Sequence, residues 1–89
     1  MREQMYILLK TEFRNLALTT RYKLGLTQRE MAEMLSMSER SYSDIEGGKT
    51  SCGTLTSILL IQMQDDPYEF LSKLKDGFQR MDDPKDRVG

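Results

Sequence analysis

Two helix-start signals lie close together between Gly25 and Gly48, and they constrain this chain more than any other feature of it. Thr27 is followed three residues later by Glu30, the reciprocal arrangement in which each side chain bonds the other's backbone N–H. Leu26 before that start and Met31 after it are spaced to close as a hydrophobic staple. Met31, Ala32 and Leu35 then recur at helical spacing, and the pattern breaks at Ser36-Met37. Ser38 opens a further helix in which Met37 and Tyr42 repeat the staple, while Tyr42 and Ile45 point inward. Gly25 ends the helix before this pair, and Gly47-Gly48 ends the helix after it. Two short capped helices with so small a break between them must turn sharply on one another, the arrangement called a helix-turn-helix.

The flanking sequence is helical too, and no alternating apolar-polar run suggests a strand. A first helix is expected over about residues 3–24, with Tyr6, Leu9, Phe13, Leu16, Ala17 and Leu24 near one side. A fourth is expected over residues 54–64. Its Leu55, Ile58, Leu59, Leu60, Ile61 and Met63 are apolar on more than one side, so burial against several neighbours is expected. Asp66 caps the fifth, with Pro67 at its first position and Glu69 completing the start. Phe70, Leu71, Leu74, Phe78 and Met81 line one of its faces. The expected architecture is all-α, with five helices in one domain over residues 1–81 and a motif core at 27–47. Residues 82–89 form a polar tail expected to be disordered. At 89 residues there is little room for a second core.

Composition removes whole classes of chemistry. The chain has no histidine and one cysteine, Cys52, so the usual zinc ligand sets cannot be assembled within it. The commonest general base is missing as well. No catalytic residue, metal or cofactor is expected, and the chain reads as a binding module. No apolar run approaches the roughly 18 residues of a membrane span. The acidic residue in Met1-Arg2-Glu3-Gln4 and the lack of a small-residue cleavage site argue against a signal peptide. A lone cysteine fits a reducing compartment, so a cytoplasmic protein is expected. Cys52 itself reads as a small, partly buried residue near a helix start.

Charge is the unexpected part. The chain carries 13 basic and 14 acidic residues, a net charge of -1. Between residues 21 and 50 the basic Arg21, Lys23, Arg29, Arg40 and Lys49 are matched by Glu30, Glu33, Glu39, Asp44 and Glu46. The excess acid lies from Asp65 onward, leaving the central segment neutral.

The segment L-G-L-T-Q-R-E-M-A-E-M-L-S-M-S-E-R-S-Y-S-D-I-E-G-G-K-T resembles the Cro/CI-type, or XRE-family, helix-turn-helix of phage-repressor DNA-binding domains. Thr27, Gln28, Met31, Ala32, Leu35, Ser38, Tyr42, Ile45, Glu46, Gly48 and Lys49 match the family pattern in register without a gap. Two positions depart from it. Ser36 stands where the family has its turn glycine, which costs strain if the backbone is left-handed there. Tyr42 replaces the usual isoleucine of the recognition helix and, once buried, needs a partner for its hydroxyl.

The resemblance implies a lambda-repressor-like domain that binds double-stranded DNA as a sequence-specific transcriptional regulator, most simply a repressor, acting as a homodimer on a two-fold symmetric operator. The second helix would lie across the DNA backbone, its N-terminus toward phosphate, with Gln28 donating a further hydrogen bond and Arg29 beside it. The third helix, residues 38–46, would enter the major groove. Ser38, Glu39, Arg40, Ser43 and Asp44 then face base edges or flanking phosphates, with Arg40 suited to guanine and Glu39 to the cytosine amino group. Lys49, Thr50 and Ser51 in the following loop suit phosphate. Structural roles compete at several of these positions: Glu39 also complements the helix dipole, and Asp44 can be a solvated charge or a partner of Arg40.

In the resembled repressors the positions of Arg21 and Glu46 form an ion pair, so a pair within salt-bridge distance and at least half buried is expected here. Leu71, Leu74, Phe78 and Met81 have the 3, 4, 3 spacing of a helix-pairing seam. With the apolar start at residues 5–9, they are the expected dimer interface. A second functional reading stays open. Acidic Glu39 and Asp44, the neutral charge and the apolar terminal helices suit a protein-interaction module, an antitoxin-like or anti-repressor subunit with weak DNA binding.

Overall fold

The computed structural model describes residues 2–81, and the side chain of Met81 falls outside the described part. The tail at 82–89 lies outside the described residues as well. The five elements are α1 (Arg2–Leu24), α2 (Gln28–Met34), α3 (Glu39–Glu46), α4 (Thr54–Gln62) and α5 (Pro67–Met81). All secondary structure among the described residues is helical.

The long helix α1 is the spine against which the others close. Phe13, Leu16, Ala17 and Thr20 are its buried residues, one stripe at helical spacing. Around them gather Met31, Ala32 and Leu35 from the α2 region, Tyr42 from α3, Leu60 from α4, and Phe70 and Leu74 from α5. Tyr42, Met31, Leu35 and Leu60 are the largest side chains fully removed from solvent. Burying such side chains contributes on the order of 1.5–3 kcal/mol each.

Helix α5 runs antiparallel to α1. Phe13 and Phe70 meet edge-on with ring centroids 5.0 Å apart. Near the α4–α5 turn, Gln64 Nε2 donates to Thr20 Oγ1 at 2.9 Å, and Lys23 pairs with Asp65. At the far end Gly77 faces Leu8, where a Cβ would come within 2.9 Å of Leu8 Cδ2. The glycine that weakens α5 as a helix is thus where the two helices close together.

Three expectations need correction. Helix α4 buries only Thr56 and Leu60, while Leu55 and Ile58 are 63% and 48% exposed, because its neighbours cover one side of it. Tyr6, Leu9 and Leu24, assigned to the inner side of α1, are exposed, since the buried residues of α1 run only from Phe13 to Thr20. The seam on α5 is not free as a unit. Leu74 is buried and Phe78 partly buried against the chain's own core, which leaves Leu71 exposed. The 3-4-3 spacing reports the face that α5 turns to α1.

Candidate nucleic-acid interface

The local chemistry that starts α2 and α3 is present in full. Thr27 Oγ1 accepts from the Glu30 amide at 3.1 Å, and Glu30 Oε1 accepts from the Thr27 amide at 2.9 Å. The bond from the Thr27 amide holds the Glu30 carboxyl below its ordinary pKa. Ser38 Oγ accepts from the Ser41 amide at 3.1 Å and so starts α3. Between the helices Ser36 has φ 57°, the left-handed turn usually given to glycine. The Met37 amide bonds Ala32 O at 3.0 Å across that turn. Leu26 and Met37 are half-buried beside Met31 and Tyr42, where the staples place them.

Helix α3 is fixed by its inner side. Tyr42 and Ile45 are buried, and the Tyr42 hydroxyl donates to Ala17 O at 3.4 Å. Burial raises the Tyr42 pKa first, and the neighbouring Glu46 raises it further, so the hydroxyl stays protonated. The outward side then carries exposed Ser38, Glu39 and Arg40, with Ser43 and Asp44 half-buried.

Glu46, at the end of α3, ties three helices together. Arg21 of α1 grips its carboxylate in a two-point bond, Nε to Oε2 at 2.6 Å and Nη2 to Oε1 at 3.0 Å. The side chains are 14% and 5% exposed. Arg21 Nη1 also donates to Leu26 O at 3.1 Å, which fixes the start of the α2 cap. Burial alone would raise the Glu46 pKa, but the hydrogen bonds from Arg21 and Gln28 outweigh it and hold the carboxyl below its ordinary value. The bond to Glu46 raises the Arg21 pKa in turn.

The remaining site residues take distinct positions. Gln28 turns its amide to Glu46, Nε2 to Oε1 at 2.9 Å, leaving one amide N–H for an outside acceptor. Its first role is thus to brace α3. Arg29 is exposed, 3.8 Å from Glu33 in a loose pair along α2. Lys49, Thr50 and Ser51 are exposed in the loop after α3. The backbone amides of Lys49 and Thr50 are used internally, bonding Asp44 O at 2.8 and 3.3 Å. Their side chains therefore carry any outward contact. Among the described residues, Arg40 and Asp44 form no ion pair, so Arg40 is free to meet another acceptor. No group of three Cys, Asp or Glu side chains among the described residues is placed to hold a metal ion.

Sequence reasoning missed Arg14. Its Nε donates to Glu46 O at 2.6 Å, capping the C-terminal end of α3 from α1. The signal was available, because Arg14 lies two turns before Arg21 on the same side of α1.

A helix pair capped in this way, with its second helix locked from below and bare above, is the framework of a DNA-binding helix-turn-helix. Residues 20–60 match the Helix-turn-helix family. The matched segment takes in the end of α1, all of α2 and α3, and α4 as far as Leu60, and it supports a DNA-binding regulatory helix-turn-helix of the Cro/CI type. Comparison with curated proteins and with solved structures found no match.

Proposed function

We propose that this protein is a sequence-specific transcriptional regulator that reads the DNA major groove with α3, in the first instance as a repressor. The observation that carries this reading is the asymmetry of α3. Tyr42, Ile45 and Glu46 lock one side to the core, while Ser38, Glu39 and Arg40 project from its N-terminal turn, the part that meets base edges in this motif. Arg40 would bond the two acceptors of a guanine, and Glu39 a cytosine amino group. Ser43 and Asp44 flank them, and Arg29, Lys49, Thr50 and Ser51 lie toward phosphate. The lone, half-buried Cys52, its pKa pushed up to about 11 by burial, suits a reducing cytoplasm.

A homodimer on a two-fold operator completes the proposal. Met5, Tyr6, Ile7 and Leu9 near the start of α1 are exposed, as is Leu71 on α5. A second copy would cover these groups and set the two recognition helices about 34 Å apart, one DNA turn. Leu74 and Phe78 would support the interface from beneath.

A specific observation favours a second reading. The exposed charges of α2, α3 and their loop balance, Arg29, Arg40 and Lys49 against Glu30, Glu33 and Glu39, and α4 shows solvent its Leu55 and Ile58. A protein-interaction subunit of the antitoxin-like or anti-repressor kind would use such surfaces. Selection of bound duplexes from a random pool separates the two, followed by titration of the selected and a scrambled duplex at two salt concentrations. Enrichment of a palindromic site supports the regulator. Equal, barely measurable binding to both duplexes removes it and leaves the protein partner.

A further inference from the structure

We propose that Arg14 is itself a contact to the DNA phosphodiester backbone, held ready by the end of α3; the inference rests on the reading of the chain as a DNA binder. A guanidinium has five N–H donors, and the bond from Nε to Glu46 O at 2.6 Å uses one of them. Among the described residues, neither terminal nitrogen of Arg14 has a hydrogen-bond acceptor, and no carboxylate lies within 4.0 Å. Arg14 is half-buried, yet no buried side-chain nitrogen or oxygen among the described residues lacks a partner. The two terminal nitrogens therefore reach solvent. The guanidinium is planar, so with Nε tethered its free edge is a preformed fork, the geometry that matches two phosphate oxygens.

Its surroundings point the same way. The Arg14 side chain passes over Gly48, lying 3.8 Å from where a Cβ would stand on that residue. Gly48 has φ 76°, and this left-handed turn leads directly into exposed Lys49. Arg14 and Lys49 thus flank the same turn at the C-terminal end of α3. The carboxylate of Glu46, the residue whose carbonyl Arg14 bonds, is neutralised by Arg21. With the N-terminal end of α3 in the groove, this turn lies beside the DNA backbone. A chain of net charge -1 then has a local cationic edge built from two different helices' surroundings.

The test uses the full chain, a selected duplex and a scrambled duplex, with affinity followed by fluorescence anisotropy over a salt series. For Arg14→Gln we expect the salt slope to fall by about one unit per protomer and affinity near 0.1 M salt to drop roughly tenfold. Both duplexes should lose alike, keeping their ratio, whereas Arg14→Lys should keep the wild-type slope with a smaller loss. A wild-type slope in Arg14→Gln would reduce Arg14 to a helix cap and overturn the proposal. So would an altered ratio between duplexes at unchanged slope, because it marks a shifted α3. Should Arg14→Gln fail to fold, duplexes bearing one neutral methylphosphonate at a time take its place. Wild type should show two sensitive phosphates beside the loop in each half-site, and Lys49→Ala should lose only one. Loss of both sensitivities in Lys49→Ala would sink the proposal. Wild-type protein that binds neither duplex would mark the failure of the DNA reading itself, and of this contact with it.

Discussion

Replacing Glu46 with alanine should be among the most damaging single substitutions available to this domain. The carboxylate accepts two bonds from Arg21 and one from Gln28, and its side chain is 5% exposed. Its removal strands the Arg21 Nε–H and Nη2–H, while Nη1 keeps its bond to Leu26 O. Breaking a buried pair from one side costs about 3–5 kcal/mol. Arg21 is 14% exposed, so some water reaches its guanidinium and the lower end, about 3 kcal/mol, applies. For a domain of this size that lowers the melting temperature by roughly 12–24 °C. Urea and thermal unfolding followed by circular dichroism measure both quantities. Arg21→Met combined with Glu46→Leu should recover most of the loss, because no charge is then left unpaired. The acid limb supplies a further check. The folded state holds the Glu46 carboxyl below its ordinary pKa, so its contribution is complete above the unfolded carboxylate range and disappears as pH falls through the folded value. Glu46→Gln should flatten that part of the stability-pH curve. A loss under about 1 kcal/mol in Glu46→Ala, the range of exposed pairs, would refute the reasoning.

The other predictions are shorter. Arg40→Ala should cost about 1–3 kcal/mol on the preferred duplex and relax choice at one base position per half-site, whereas Lys49→Ala should weaken all sequences alike and lower the salt slope by about one unit. A titration in which the two variants behave identically would contradict the division between base reading and phosphate contact. Ser36→Gly should stabilise the fold by about 1 kcal/mol, since φ 57° strains a residue that has a Cβ; unchanged or lower stability in urea would count against strain at that turn. Ile7→Glu and Leu71→Glu should each turn a sedimenting dimer into a monomer with the fold intact, and dimers persisting in both variants would remove the proposed interface.

Local chemistry decided what could be read directly. Capping needs only residues a few positions apart, so Thr27 with Glu30, and Ser38 with Ser41, act within one turn of helix and are visible as short patterns. The staples of Leu26 with Met31 and Met37 with Tyr42 are equally local. The turn at Ser36 is forced by the shortness of the break, whatever residue occupies it. The pairing of Arg21 with Glu46 spans 25 residues and was legible only through resemblance to repressors, because nothing local relates the two.

What the sequence determined by itself is the order and ends of the helices and the inner sides of α2 and α3, since periodicity and caps act through near neighbours. Tertiary structure alone decided which apolar residues found cover. Leu55 and Ile58 have the same hydrophobicity as Leu60, yet only Leu60 faces α1 and α5. Leu74 and Phe78 have seam spacing, yet the antiparallel docking of α5, closed at Gly77 against Leu8, turns them inward. Arg14 and Gln28 look like surface residues in the chain and become braces of α3 only when Glu46 is brought to them. The physical reason is common to all of these. Burial and long-range hydrogen bonding depend on where a second segment lies, and that position follows from packing the whole set of helices around one core.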